Sequence, residues 1–172
     1  SFIDKLNEQV GELELTERQR DILEYLIGSL DDDGLLRKDL DTISDELAIY
    51  HGIDATTQEI EDVLKLLQDF DPAGIGARSL QECLLLQVER KVENGEWKRN
   101  GQLYQYVKQV LTRHFDAFTK KHWDKIKVAM GLSDLQVETL QKEIRKLNPK
   151  PGASMGETQG RNLQQITPDF II

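Results

Sequence analysis

Along most of this chain apolar residues recur every three or four positions, the period of one face of an α-helix. Phe2, Leu6, Val10 and Leu13 mark a short first helix. Thr16 followed by Gln19 has the form of a capping box, in which one side chain serves the third helical amide and the other reaches back to the cap amide. It opens a second helix with Ile22, Leu23, Leu26, Ile27 and Leu30 on its inner face, and Asp31-Asp32-Asp33-Gly34 ends that helix in a turn. Ile43, Leu47 and Tyr50 set the inner face of a third helix, closed by Gly52. Thr56 and Glu59 cap a fourth, which carries Ile60, Val63, Leu64, Leu67 and Phe70. From Gln102 the pattern continues through Leu103, Val107, Val110, Leu111, His114 and Phe118. Trp123, Ile126, Ala129 and Met130 follow in a separate helix, then Val137, Leu140, Ile144 and Leu147 behind a Ser133–Gln136 box. No strand-like alternation precedes residue 166.

The stretch from Asp71 to Gln87 organises the rest. Pro72 pushes Asp71 out of the helical region and stops the fourth helix. Gly74 and Gly76 allow a tight turn, and Ser79 with Glu82 reads as another capping box. The helix it opens contains the run Cys83-Leu84-Leu85-Leu86, apolar on several sides, and is expected to be buried between neighbours. The expected fold is all-α: two helical bundles of about four and three helices, packed through that central helix. Residues 1–94 form the first bundle, ending at the turn dipeptide Asn94-Gly95, and residues 95–148 form the second. Pro149, Pro151 and Gly152 stop the last helix, and 149–172 reads as an irregular linker, with the apolar run Ile166–Ile172 beginning a next element. With no initiating Met and an apolar end, the chain reads as a fragment of a longer protein.

Charge divides the chain. Residues 1–78 hold 20 acids and 7 bases, whereas 79–172 hold 11 acids and 15 bases, within a formal net charge of −9. An acidic first half repels nucleic acid and suits a basic protein surface. A single cysteine excludes an internal disulfide and suits a reducing, cytoplasmic setting, and no apolar run is long enough for a membrane span.

The residues offer no catalytic constellation. His51, His114 and His122 are too widely spaced to pair as metal ligands, and Cys83 in leucine-rich sequence reads as a buried, inert thiol. Asp31 to Asp33 do not make a calcium loop, since the glycine such a loop needs at its sixth place is Leu36 here. Gly74 and Gly76 follow no strand and form no phosphate cradle. No cofactor, metal or enzymatic activity is expected.

Asp71 to Gln87 closely resembles the signature of the core-binding region of RpoN-type alternative sigma factors, the sigma-N or sigma-54 class. Leu26 to Leu36 is similar to that family's leucine-aspartate-glycine turn, with Leu35 where Tyr is more usual, and Leu147 to Gly152 is similar to its closing motif. The resemblance implies binding to core RNA polymerase in activator-dependent transcription initiation. It also implies contacts with promoter DNA mainly through domains after this one, and with an ATP-driven activator mainly through a region before it. On the matching motifs, Asp31, Asp33, Asp71, Arg78, Gln81 and Gln87 become candidate polymerase contacts, with Arg78 foremost at the rim of the turn. Pro72, Gly74, Gly76, Ser79, Glu82, Pro149, Pro151 and Gly152 become structural residues of the motifs.

The alternative is a helix-turn-helix DNA-binding module in residues 121–147, where the last helix balances its charges to zero. The basic and aromatic stretch 98–127 leaves a weak contact with DNA or an acidic protein surface open. The chain is expected to be a helical monomer.

Overall fold

Thr16 and Ser133 begin their helices as the sequence expects. Each hydroxyl accepts from the amide three residues on, at 3.0 and 3.1 Å, while Gln19 and Gln136 accept from the cap amides. Thr56 also caps its helix, but the Glu59 carboxylate is held by Arg18 at 2.5 and 3.0 Å. Asp39 supplies a cap the sequence pattern did not reveal.

The computed structural model describes residues 2–153, and among these every regular element is helical. The order is α1 (Phe2–Gly11), α2 (Glu17–Gly28), α3 (Leu40–His51), α4 (Thr57–Gln68), α5 (Leu80–Glu93), α6 (Gln102–Arg113), α7 (Phe115–Thr119), α8 (Trp123–Met130) and α9 (Asp134–Arg145). No helix among the described residues is long and apolar enough to cross a membrane. From residue 154 on, the expected linker and the run Ile166–Ile172 lie outside the described residues. Pro151–Ala153 has helical geometry.

The chain divides into two compact units. One runs to Ser79 and includes the return segment from Lys150; the other is Leu80–Pro149. In the first, α2 packs on α1 and α4, and α3 packs on α4. Its core joins Leu6 and Val10 to Ile22, Leu26, Ile43, Leu47, Ile60 and Leu67, and includes the loop residues Leu36 and Ile75. In the second, α6 packs on α5, α7 and α9, and α8 packs on α7 and α9. Tyr104, Val107, Leu111, Ile126 and Leu140 centre that core.

Four expectations differ from the structure for physical reasons. Sequence grouping put α5 with the first bundle through residue 94, but its Leu84 and Val88 pack into the core built by α6, α8 and α9. The leucine run is not buried all round either. Cys83, Leu84, Gln87 and Val88 form one buried stripe, and Leu85 and Leu86 are half-buried. The segment after Gln102 breaks at His114, whose φ of −123° leaves the helical region, so Phe118 belongs to the short α7. On α3, Tyr50 is 71% exposed. His51 beside it is exposed as well, with its ring edge-on to Tyr25 and centroids 5.2 Å apart.

Candidate functional site

Three turns meet in the first unit, and each carries one of the sequence motifs. The first turn closes on itself, with Gly34 N donating to the Asp31 carbonyl at 2.9 Å and Asp31 N to that of Leu35 at 2.8 Å. The second turn is stitched to it by two main-chain bonds running in opposite directions. Gly76 N donates to Gly34 O at 2.9 Å, and Leu36 N donates to Ala77 O at 2.8 Å. The third segment arrives from the far end of the chain, with Gly152 N donating to Asp33 O at 3.0 Å. Beneath these bonds Leu35, Leu36, Ile75 and Ala77 have no exposed area, so the turns are part of the core rather than a surface ornament.

The backbones approach so closely that side chains are excluded. Gly34 has φ of +90°, and a Cβ there would stand 2.8 Å from Gly152 N and 2.9 Å from Ile75 Cδ1. A Cβ at Gly152 would stand 2.7 Å from Gly34 N. Glycine at both positions is therefore a steric requirement of the junction.

A glutamine completes the second turn. Asp71 precedes Pro72, across a cis peptide bond, and its N–H and C=O cannot continue the helical ladder. Gln9 supplies both partners: Asp71 N donates to Gln9 Oε1 and Gln9 Nε2 donates to Asp71 O, each at 2.8 Å. Gln68 Nε2 likewise donates to Gly76 O at 3.0 Å.

The charged face of the junction is built around Arg37. Its guanidinium bonds Asp31 at 2.9 Å and Asp33 at 2.8 and 3.1 Å, and Asp33 Oδ1 also accepts from Leu35 N at 3.2 Å. The Arg37 bonds hold the Asp33 carboxyl below its usual range, and the two carboxylates push the Arg37 pKa up. A depression of about 540 Å³, lined by Asp31, Asp32, Asp33, Arg37 and Lys150 among others, opens here.

Because the folded Asp33 pKa is depressed, its contribution to stability is full above the unfolded carboxyl value of about 3.9. It is lost as pH falls through the lower folded value. Asp33→Asn is expected to flatten the fall in thermal midpoint between about pH 5 and pH 2. A parallel acid titration of both chains by dichroism checks this, and identical slopes would show that Asp33 carries none of it.

Four of the sequence-predicted contacts thus meet in one junction: Asp31 and Asp33 on Arg37, Asp71 on Gln9, and Arg78, whose Nη1 donates to Leu36 O at 2.7 Å. Gln81 and Gln87 belong to the second unit. Gln81 Nε2 donates to Leu111 O at 2.8 Å. Gln87 is 8% exposed and pairs with the residue before Pro149, donating to Asn148 O at 2.5 Å and accepting from Asn148 N at 2.7 Å. It repeats the Gln9–Asp71 arrangement. Gly74 and Gly76 both have positive φ, at 97° and 79°, and α5 begins directly after Ser79 with Glu82 in its first turn. Gln9, Gln68 and Arg37 were not among the residues the sequence singled out. Only Arg37 carried a signal, as a base four places after Asp33.

The described residues form two helical units, and the signature turns converge on one junction in the first. The whole chain, residues 1–172, matches the family described as the sigma-54 factor core binding domain, and the chain belongs to that family. It is 36% identical over 149 residues to the RNA polymerase sigma-54 factor of Bacillus subtilis, covering 87% of this chain and 31% of that protein. It is 35% identical over 169 residues to RNA polymerase sigma-54 factor 2 of Bradyrhizobium diazoefficiens, covering 98% and 28%. With the Salmonella typhimurium RNA polymerase sigma-54 factor the identity is 27%, covering 100% and 34%. The chain spans about a third of the length of the curated relatives it matches.

Proposed function

We propose that this chain binds core RNA polymerase in sigma-54-dependent transcription initiation, and that the three-turn junction of its first unit shapes the contact surface. The observation that carries the reading is the match of the whole chain to the core-binding family. The junction supports it, because Asp31, Asp33, Asp71 and Arg78 from two motifs are held together there. Net charge supports it too: the 20 acids and 7 bases of residues 1–78 suit a basic protein partner rather than phosphates. Sigma factors are not enzymes, and the chain acts by binding. Promoter recognition and the response to an ATP-driven activator fall, on this reading, to other parts of the parent protein.

The test is core polymerase binding by the 172-residue chain and its Arg78→Glu variant. Arg78→Glu removes the bond to Leu36 O and is expected to cost about 1–2 kcal/mol of stability. Binding by the folded fraction is expected to weaken about thirtyfold in addition, because the reversed charge stands at the contact. If the residual folded protein binds polymerase normally, Arg78 is structural only. No binding by the parent chain at moderate salt would remove the reading altogether.

The DNA-binding alternative gains no support. α8 and α9 are joined through Gly131–Ser133, but the N-terminal turn of α9 presents Asp134, which is ion-paired with Lys127. A carboxylate at the end that would face bases and phosphates opposes groove binding.

A further inference from the structure

We propose that a groove in the second unit receives an acidic amphipathic helix from a partner protein. This goes beyond the polymerase reading and does not depend on it. The groove has a volume of about 750 Å³, in the range of preformed ligand sites, and its apolar lining is Leu80, Leu84, Phe118, Trp123, Ile144 and Leu147. Phe118 and Trp123 meet edge to face, with centroids 6.1 Å apart, and so form a fixed aromatic wall.

Charge decides what the groove takes. Lys121 and Arg145 line it from opposite elements, the α7–α8 corner and α9, with Asp124 as the acidic residue of the lining. Lys121 has φ of +62°, a left-handed conformation uncommon for a residue with a side chain. Its own amide donates to Phe118 O at 3.0 Å, and that of His122 donates to Ala117 O at 2.8 Å, so the corner is held in place. Three of the nearby cations are paired, Lys120 with Asp116, Lys127 with Asp134 and Lys146 with Glu143, and none of the three lines the groove. Among the described residues Lys121 and Arg145 have no ion pair. Two unpaired cations beside an apolar floor fit a helix that places leucine or phenylalanine at i, i+3 and i+4 into the groove and keeps carboxylates at its rim. Leu80, Leu84, Ile144 and Leu147 make most of the apolar lining aliphatic, and the two rings are packed edge to face on each other, which favours side-chain insertion over base stacking on open aromatic platforms.

Trp123 reports occupancy directly. In the full chain carrying Trp97→Phe it is the sole tryptophan, since the sequence has two. The probe is a synthetic amphipathic helical peptide of glutamate, leucine and phenylalanine, and the comparator has lysine in place of every glutamate. The acidic peptide is expected to shift Trp123 emission saturably, and the basic one at least about tenfold more weakly. Lys121→Glu with Arg145→Glu, both exposed positions, is expected to reverse that preference while leaving the helical dichroism unchanged. Equal binding of the two peptides, an unchanged preference in the charge-reversed chain, or no emission shift at all would overturn the proposal. So would a single-stranded oligonucleotide that shifts Trp123 emission at lower concentration than the acidic peptide.

Discussion

Gly34→Val is expected to lower the unfolding free energy by about 2–5 kcal/mol, combining a left-handed backbone penalty with overpacking. The backbone term follows from φ of +90°, and the packing term from the 2.8 and 2.9 Å approaches a Cβ would make. Neither neighbour yields readily: one is the main-chain nitrogen of Gly152, and the other is a methyl of Ile75, which has no exposed area. Gly52→Val is the control. Its φ of +65° imposes the backbone term, but nothing lies within 4 Å of its Cβ. Urea unfolding of both variants and the parent separates the two costs. If Gly34→Val costs no more than Gly52→Val, the meeting of Gly34 with Gly152 is not what the glycine is for.

Gln87→Leu is expected to cost about 2–4 kcal/mol, because it strips two hydrogen bonds from the Asn148 main chain within a buried site. Trp97 and Trp123 both lie in the second unit, so their emission follows its unfolding. Gln87→Glu gives a sharper result. A neutral carboxyl both donates and accepts, as the amide does; a carboxylate cannot donate and sets its charge against the Asn148 carbonyl. Its folded pKa is therefore raised above the unfolded value of about 4.3. The clamp is intact below that value and fails as pH rises through the raised folded pKa. The Gln87→Glu chain is expected to gain stability relative to the parent as pH falls from about 7 to 4. The parent's depressed carboxyls among the described residues, Asp33, Glu46, Glu59, Glu89 and Asp134, contribute in the opposite sense. A Gln87→Glu chain that tracks the parent at every pH would show that the amide donor is dispensable.

The sequence made local structure legible and long-range structure much less so. The Thr16 and Ser133 boxes were readable because both partners sit within one turn. The turns at Gly34, Gly74 and Gly76 were readable because glycine and proline restrict the backbone where they stand. What those turns hold was not readable. Gln9 is one polar residue on the first helix, and nothing in its surroundings points to Asp71. The guanidinium of Arg78 was recognised as standing at a rim, but its acceptor on Leu36 lies in another turn. Periodicity also misassigned Tyr50: it continues the Ile43–Leu47 spacing, but it stands in the last turn of α3 and is 71% exposed. For α5, the consecutive leucines hid which face is buried, and the shared core with α6 and α9 decides it.

Gly152 seats on Asp33 and Gly34, so the first unit is closed by residues that the ribosome adds long after α4. All of Leu80–Pro149 must be translated before the third segment can reach its place. Vectorial synthesis ordinarily lets an N-terminal unit finish first. Here α1 to α4 emerge with the Asp33 carbonyl and the Gly34 backbone uncovered, and the inserted second unit is born in the interval. A message cut short after Pro149 would yield a second unit complete in sequence and a first unit lacking its clasp.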